Sequence, residues 1–347
     1  MGVAIGYESN VAFGQQTVFG TAVTPAITAS HLRAGPVFSP RQAMQPRQTT
    51  ASVMPRAGQL WRTMGLVDFK LSFEMIFNDT VWLPIFTAVF KKRVKAGAGP
   101  FTHTMTVNNP PIEGGTDGTP AGTFYDHGLT IRHTLTNVAT YMVQDCCVNQ
   151  FQMVMEANKP LQFDISGVGQ KMVVSTPISF VDVTGSLATW EHMYASANAG
   201  LYVGAANPPT TSIVPKKCTY TLNNNLRFEP FLGTGSGLEL KIPTRTDYPT
   251  SRVDFDMDFD DVSATDGVSI MADYLNSPIP ITEDLSAKYY LDANNALQLK
   301  ATGSVKPGVI DQPSIKVDNN GPVGFSFGLN IFPDTLSDLS LVETTLT

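Results

Sequence analysis

The stretch Val67-Asp-Phe-Lys-Leu-Ser-Phe-Glu-Met75 puts an apolar side chain at every odd position and a polar or charged one at every even position. Successive side chains of a β-strand point to opposite faces, so this period of two describes a strand with one buried and one wetted face. The pattern returns 186 residues later as Val253-Asp-Phe-Asp-Met-Asp-Phe-Asp-Asp261. A short apolar segment of helical character follows each copy. In the first it is Trp82 to Phe90, with Asp79 as N-cap; in the second it is Val268 to Leu275, behind Ser263 or Asp266.

A second pair of matches lies further along. Met153-Val-Met-Glu-Ala-Asn-Lys-Pro-Leu-Gln-Phe-Asp-Ile165 corresponds, at an offset of 162, to Ile315-Lys-Val-Asp-Asn-Asn-Gly-Pro-Val-Gly-Phe-Ser-Phe327. Each reads as strand, tight turn and returning strand, a hairpin. The two offsets differ by 24 residues, so the first copy holds an insertion between its helix and its hairpin. Residues 91–127 supply it, opening with Lys91, Lys92, Arg93 and Lys95 and continuing through Gly- and Pro-rich sequence. Long loops of this kind usually make a contact, and an intersubunit surface is expected here.

The expected organisation is an N-terminal arm, 1–35; a first module, 36–175; a connector, 176–212, with a helix that starts at Ser186 and has Gly200 just past its end; and a second module, 213–347, ending in a loosely patterned tail. Arms without sustained periodicity often become ordered only against a neighbour.

Composition agrees with a β-rich, turn-rich chain. Charged residues are 15%, beside 28 Gly and 24 Pro, which argues against long charged helices and coiled coils. The longest strongly apolar run, Val81 to Phe90, has ten residues, about half a bilayer span, so no membrane segment is expected. The first residues lack the basic start and apolar stretch of a signal peptide, which predicts folding in the cytoplasm. Cys146, Cys147 and Cys218 read as reduced thiols, since neighbouring cysteines seldom pair with each other. Residues 1–175 carry 13 Lys/Arg against 10 Asp/Glu, and residues 205–347 carry 10 against 18. Halves of opposite sign favour head-to-tail association of copies.

No catalytic constellation emerges. His31, His103, His127, His133 and His192 are scattered without the i, i+4 spacing of helical zinc sites. Gly233-Thr-Gly-Ser-Gly237 lacks the lysine of a phosphate loop and the spacing of a dinucleotide fingerprint. Gly324-Phe-Ser-Phe-Gly328 sits in a returning hairpin strand, whereas a nucleophile elbow needs a strand-to-helix turn, and no histidine follows Ser326. No enzyme, cofactor or metal is expected. The basic cluster after the helix has no interleaved aromatics, which speaks for docking or solvation over specific nucleic-acid binding.

The strongest local signal is the row Asp254, Asp256, Asp258 and Asp260 on one face of one strand. It lacks the glycine and glutamate positions of an EF-hand loop. Four like charges on one face repel one another, and a surface required to repel a polyanion has this composition.

Gln15-Gln-Thr-Val-Phe-Gly-Thr-Ala-Val-Thr-Pro25 resembles the opening of the tail tube proteins of long-tailed bacteriophages. Thr219-Tyr-Thr-Leu-Asn-Asn-Asn-Leu226, followed by the Val253 strand, resembles the second half of the larger members. The resemblance implies a mainly β fold of two tandem antiparallel β-sandwich or half-barrel modules, each with a flanking helix. Six such modules form a ring, from three two-module chains or from six chains. Inner strands then join into a continuous barrel, and stacked rings form the channel through which genome DNA leaves the virion. Implied partners are copies of the chain itself and the tail tip, tape measure and tail terminator proteins. The implied location is the virion tail, assembled in the host cytoplasm, with the Asp254 strand lining the lumen. The alternative is an accessory or adhesive β-sandwich (capsid decoration, tail fibre or carbohydrate-binding module), which calls for exposed Trp or Tyr in loops near Asp or Asn. An enzyme of unfamiliar kind would need a pocket of convergent polar groups.

Overall fold

The computed structural model describes residues 9–16, 22–25, 27–29, 32–40, 44–46, 60–62, 66–74, 79–97, 101–107, 128–135, 138–156, 159–176, 199–204, 212–213, 215–228, 230–232, 238–240, 244–245, 247–258, 267–277, 282–290, 296–302, 305–317, 323–333 and 339–345. In the first half the elements are β1 (Ser9–Gln16), β2 (Ile27–Ala29), β3 (Leu32–Pro40), β4 (Met44–Pro46), β5 (Leu60–Arg62), β6 (Val67–Glu74), helix α1 (Asp79–Phe90), β7 (Lys91–Ala96), β8 (Phe101–Val107), β9 (Gly128–Leu135), β10 (Ala139–Glu156), β11 (Gln162–Gly169) and β12 (Lys171–Ser175). The second half holds β13 (Ala199–Gly204), β14 (Ser212–Ile213), β15 (Lys217–Asn223), β16 (Leu226–Arg227), β17 (Pro230–Leu232), β18 (Leu238–Leu240), β19 (Thr244–Arg245) and β20 (Thr250–Asp258). Helix α2 (Gly267–Asn276) follows, then β21 (Thr282–Tyr290), β22 (Ala296–Ala301), β23 (Gly308–Lys316), β24 (Gly324–Ile331) and β25 (Leu339–Thr345). The protein is mainly β, and every pairing between its described strands is antiparallel.

The alternating stretch does what its period dictates. In β6, Val67, Phe69, Leu71 and Phe73 are buried, and in β20 Val253, Phe255 and Met257 are. Both strands belong to one long sheet in the order β3-β6-β11-β10-β15-β20-β24-β23, with the first two residues of β21 continuing it beyond β23. The apolar face of this sheet carries α1, whose Trp82, Leu83, Ile85, Phe86, Ala88, Val89 and Phe90 are all buried. A helix apolar on every side belongs between layers, and strands β1, β7, β8 and β9 contact it as well as β10. Edge-on ring contacts run through this core: Phe73 to Trp82 at 5.5 Å, Trp82 to Phe163 at 5.2 Å and Phe86 to Phe163 at 5.5 Å.

Two further sheets branch from the long one. Strand β10 has 18 residues and changes partners along its length. Its first part pairs with β9 and β12 and its second with β11 and β15. The change falls at a bulge between Val143 and Cys146, where Asp145 takes a φ of 53°. The order here is β2-β1-β9-β10-β12. The other branch runs β14-β13-β21-β22-β25-β8-β7.

The order of pairings occurs twice. Strands β2-β1-β9-β10-β12 are matched by β14-β13-β21-β22-β25, and β3-β6-β11-β10 by β15-β20-β24-β23. Registers agree: Ile131 faces Val143 as Ala287 faces Leu299, and Met153 faces Phe163 as Ile315 faces Phe325. One register differs. Leu71 faces Ile165, whereas Met257, its counterpart, faces Phe325 instead of Phe327, a slide of two residues that keeps every side chain on its own face.

The boundaries differ from the expected ones. Segment 1–35, read as an arm, contains β1, β2 and the start of β3, and the tail contains β25. The expected connector helix falls mostly outside the described residues, and Ala199, expected at its end, and Gly200, expected just past it, begin β13. Of the insertion, β7 and β8 pair with each other, and β8 pairs with β25 within the chain; 98–100 and 108–127 lie outside the described residues.

Candidate functional site

The even positions of β6 and β20, with their neighbours on β10, β11, β15, β23 and β24, form one broad polar face. Across its middle runs a register row, Glu156, Lys217, Asp256 and Ser326. The row of aspartates is less bare than its sequence implies. Arg252 Nε donates to Asp254 at 2.7 Å, and its Nη1 donates to Asp311 at 2.7 Å and to Asn330 at 3.1 Å. Lys216 forms an ion pair with Asp258 at 2.6 Å, and Asp256 stands opposite Lys217. The expectation of four uncompensated charges is therefore corrected for the described three: Arg252 of the same strand, with Lys216 and Lys217 at the neighbouring one, interleaves with them. Asp260 lies outside the described residues. Glycine at 328 makes room for this network, because a Cβ there would run into the Arg252 guanidinium. Acid still outnumbers base on the face.

The basic cluster does not form a single accessible patch. Lys91 is fully buried at the end of α1, with a φ of 73°; Arg93 is half-buried; Lys95 is exposed, its Nζ 3.8 Å from the Phe101 ring centre. The Lys92 side chain lies outside the described residues.

The junction between the two four-strand units is the β10–β15 pairing, from Gln150 opposite Asn223 to Glu156 opposite Lys217. Asn224 closes it. Its side chain is fully buried, and Nδ2 donates to the carbonyls of Val89, in the last turn of α1, at 2.9 Å and of Val148 at 3.2 Å. Its own N–H donates to Asn149 O at 2.7 Å, and Leu226 N to Asn149 Oδ1 at 2.8 Å. The asparagine run that carried the family resemblance is thus a clasp joining the helix, the junction and the bulge between Val148 and Gln150 in the β10–β11 pairing. No local sequence pattern announces it.

Beside the polar face lies a groove of about 860 Å³ whose lining includes Thr221, Tyr248, Arg252, Asn330 and Phe332. Tyr248 is 76% exposed, next to Asp247, and Asn225 Nδ2 donates to its carbonyl at 2.6 Å. The sequence criterion of an exposed Trp or Tyr in a loop near Asp or Asn fits Tyr248, but it singled out no tyrosine. Asp247-Tyr248-Pro249, a polar turn triplet carrying an aromatic, is the signal that marks it.

The remaining candidates stay apart. Ser326 shares a 2.7 Å hydrogen bond with Ser314 on the paired strand and stands on no strand-to-helix turn. His133 stacks on Tyr141 and is held below the ordinary histidine value by burial, and His103 is buried elsewhere. His31, His127 and His192 lie outside the described residues. Cys146, Cys147 and Cys218 form no disulfide and are buried. Burial pushes the Cys218 thiol up, with Asp254 adding to it. Among the described residues no cluster of His, Cys, Asp or Glu suits a metal ion, and no helix is long and apolar enough to cross a membrane. Compared with known families and curated proteins, the chain matches neither a family model nor a curated sequence.

Proposed function

We propose that this chain is a tail tube protein of a long-tailed bacteriophage: a structural virion subunit that assembles into stacked rings around a channel for genome DNA. The observation that carries the reading is the long sheet. Two four-strand units of the same pairing order stand edge to edge, apolar on the face under α1 and polar with an acidic excess on the other. A wall built this way presents its polar face to the lumen. Duplex DNA carries one negative charge per roughly 1.7 Å, so acidic side chains at the wall oppose adhesion and let the duplex slide. Copies of the chain, the tail tip, tape measure and terminator proteins are its partners. It assembles in the host cytoplasm and ends in the virion tail, with neither cofactor nor catalysis involved.

Negative-stain microscopy of the concentrated protein tests this. Rings or tubes with an open channel are expected, with class averages separating three chains from six. A closed globular particle, still unassembled beside its tail-tip partner, overturns the reading. The Tyr248 groove favours a second one, an adhesive β-sandwich: an exposed aromatic ring beside Asp247 is how sugar rings are held. Saturable binding from a panel of oligosaccharides, lost in Tyr248→Ala, would support it.

A further inference from the structure

The internal junction specifies what a free edge of the same sheet lacks. Among the described residues β3 pairs only with β6, and β23 beyond Val309 pairs only with β24. These are the two ends of the eight-strand order. Each has a counterpart inside the chain. Strand β23 matches β10, with Ile315 in the place of Met153; β3 matches β15, since Phe38 faces Phe69 as Cys218 faces Phe255.

At the internal junction the core-facing Met153 and Met155 are 2% and 5% exposed, covered by β15. Their counterparts at the free edge, Ile315 and Val317, are 43% and 75% exposed. Two apolar side chains on the core side of a strand, left open to water where the matching strand has a neighbour, mark an edge that lacks its neighbour. Strand β3 is the element of this chain that holds the place of that neighbour.

We infer that a second copy of the chain adds its β3 to β23 in the register of the internal junction, with Lys316 opposite Ser39, Ile315 opposite Pro40 and Val317 opposite Phe38. This rests on the tube-wall reading, and it specifies which residues meet. Transferring the pairing of Met153 with Tyr220 onto the two free edges gives these pairs. Pro313 and Pro40 each lack a backbone donor, so the joint between copies is shorter in hydrogen bonds than the one within a chain. That arrangement keeps the edges from pairing indiscriminately before assembly.

Ser39 and Lys316 are both exposed, so cysteines there leave the core intact, and the native cysteines are buried. The test treats assembled protein carrying Ser39→Cys with Lys316→Cys with dibromobimane, which bridges thiols at cross-strand range. Its control carries Ser39→Cys with Ser314→Cys, a register displaced by two residues. The expected result is covalent multimers and bimane fluorescence from the first pair well above the control. Rings or tubes in which the control pair links better, or in which neither links, overturn the register and leave the tube reading standing. Failure of the unmodified chain to form rings even beside its tail-tip partner overturns both.

Discussion

Asn224 shows how much one buried polar side chain can hold. Asn224→Ala leaves the carbonyls of Val89 and Val148 without the donors they have now, a loss of about 1–3 kcal/mol. Urea denaturation should show a lower midpoint at unchanged slope. Arg252 and Gly328 form a coupled pair. Gly328→Ala pushes the guanidinium off Asp254 and Asp311, so Gly328→Ala adds little once Arg252→Ala is present. A double-mutant cycle should return a coupling of about 0.5–3 kcal/mol, and additivity would contradict the geometry. His133 carries a pH signature. Burial lowers its folded-state value, so as pH falls through the ordinary 6.5 the unfolded chain takes up the proton first. The wild type should lose stability relative to His133→Gln between about pH 7.5 and 5, and parallel profiles would refute this. Which residues face the core was legible from alternation alone, from Val67 to Phe73 and from Val253 to Met257. The partners of the aspartates were not, because Asp311 reaches Arg252 from 59 residues away and no local pattern announces such a meeting.

At the scale of elements, strands with one wetted face announced themselves and strands buried on both did not. In β1, Asn10, Val11, Ala12 and Phe13 are all buried, so the segment has no period to detect and reads as an arm. The two helices were found from capping residues and short apolar runs, yet their surroundings differ. Helix α1 is enclosed, while Val268, Tyr274 and Leu275 of α2 are exposed, and the enclosing strands come from distant sequence. Close approach at the β10–β11 bulge gives another prediction. A Cβ at Gly167 would meet the carbonyl oxygen of Cys147 and, at 2.9 Å, the Phe69 ring. Backbone cannot swing away as a side chain tip can, so Gly167→Ala should cost about 1–3 kcal/mol, read as a lower melting temperature. Gly324→Ala, where the nearest atom lies at 3.7 Å, is the control and should change little.

For the whole molecule, the duplicated alternating motif led to a mainly β fold, and offsets of 186 and 162 located the insertion between helix and hairpin. Branching of the sheets at β10 and β21 was not legible, since it depends on strands changing partners midway. The acidic excess of the polar face yields a further expectation. Assembled wild-type protein should not retain duplex DNA at low salt, whereas Asp256→Lys should retain it and release it as salt rises; equal retention would count against a lumenal face. The joint between β10 and β15 has a kinetic consequence. Because both partners belong to one polypeptide, their encounter is unimolecular and independent of protein concentration. On the tube reading, a closed ring of three such chains forms through two bimolecular docking events and one intramolecular closure where six separate units would need five and one, and each event omitted spares the translational and rotational entropy of immobilising one more body. At equilibrium the ring concentration should accordingly follow the third power of the free subunit concentration, not the sixth, as a dilution series read by sedimentation would show.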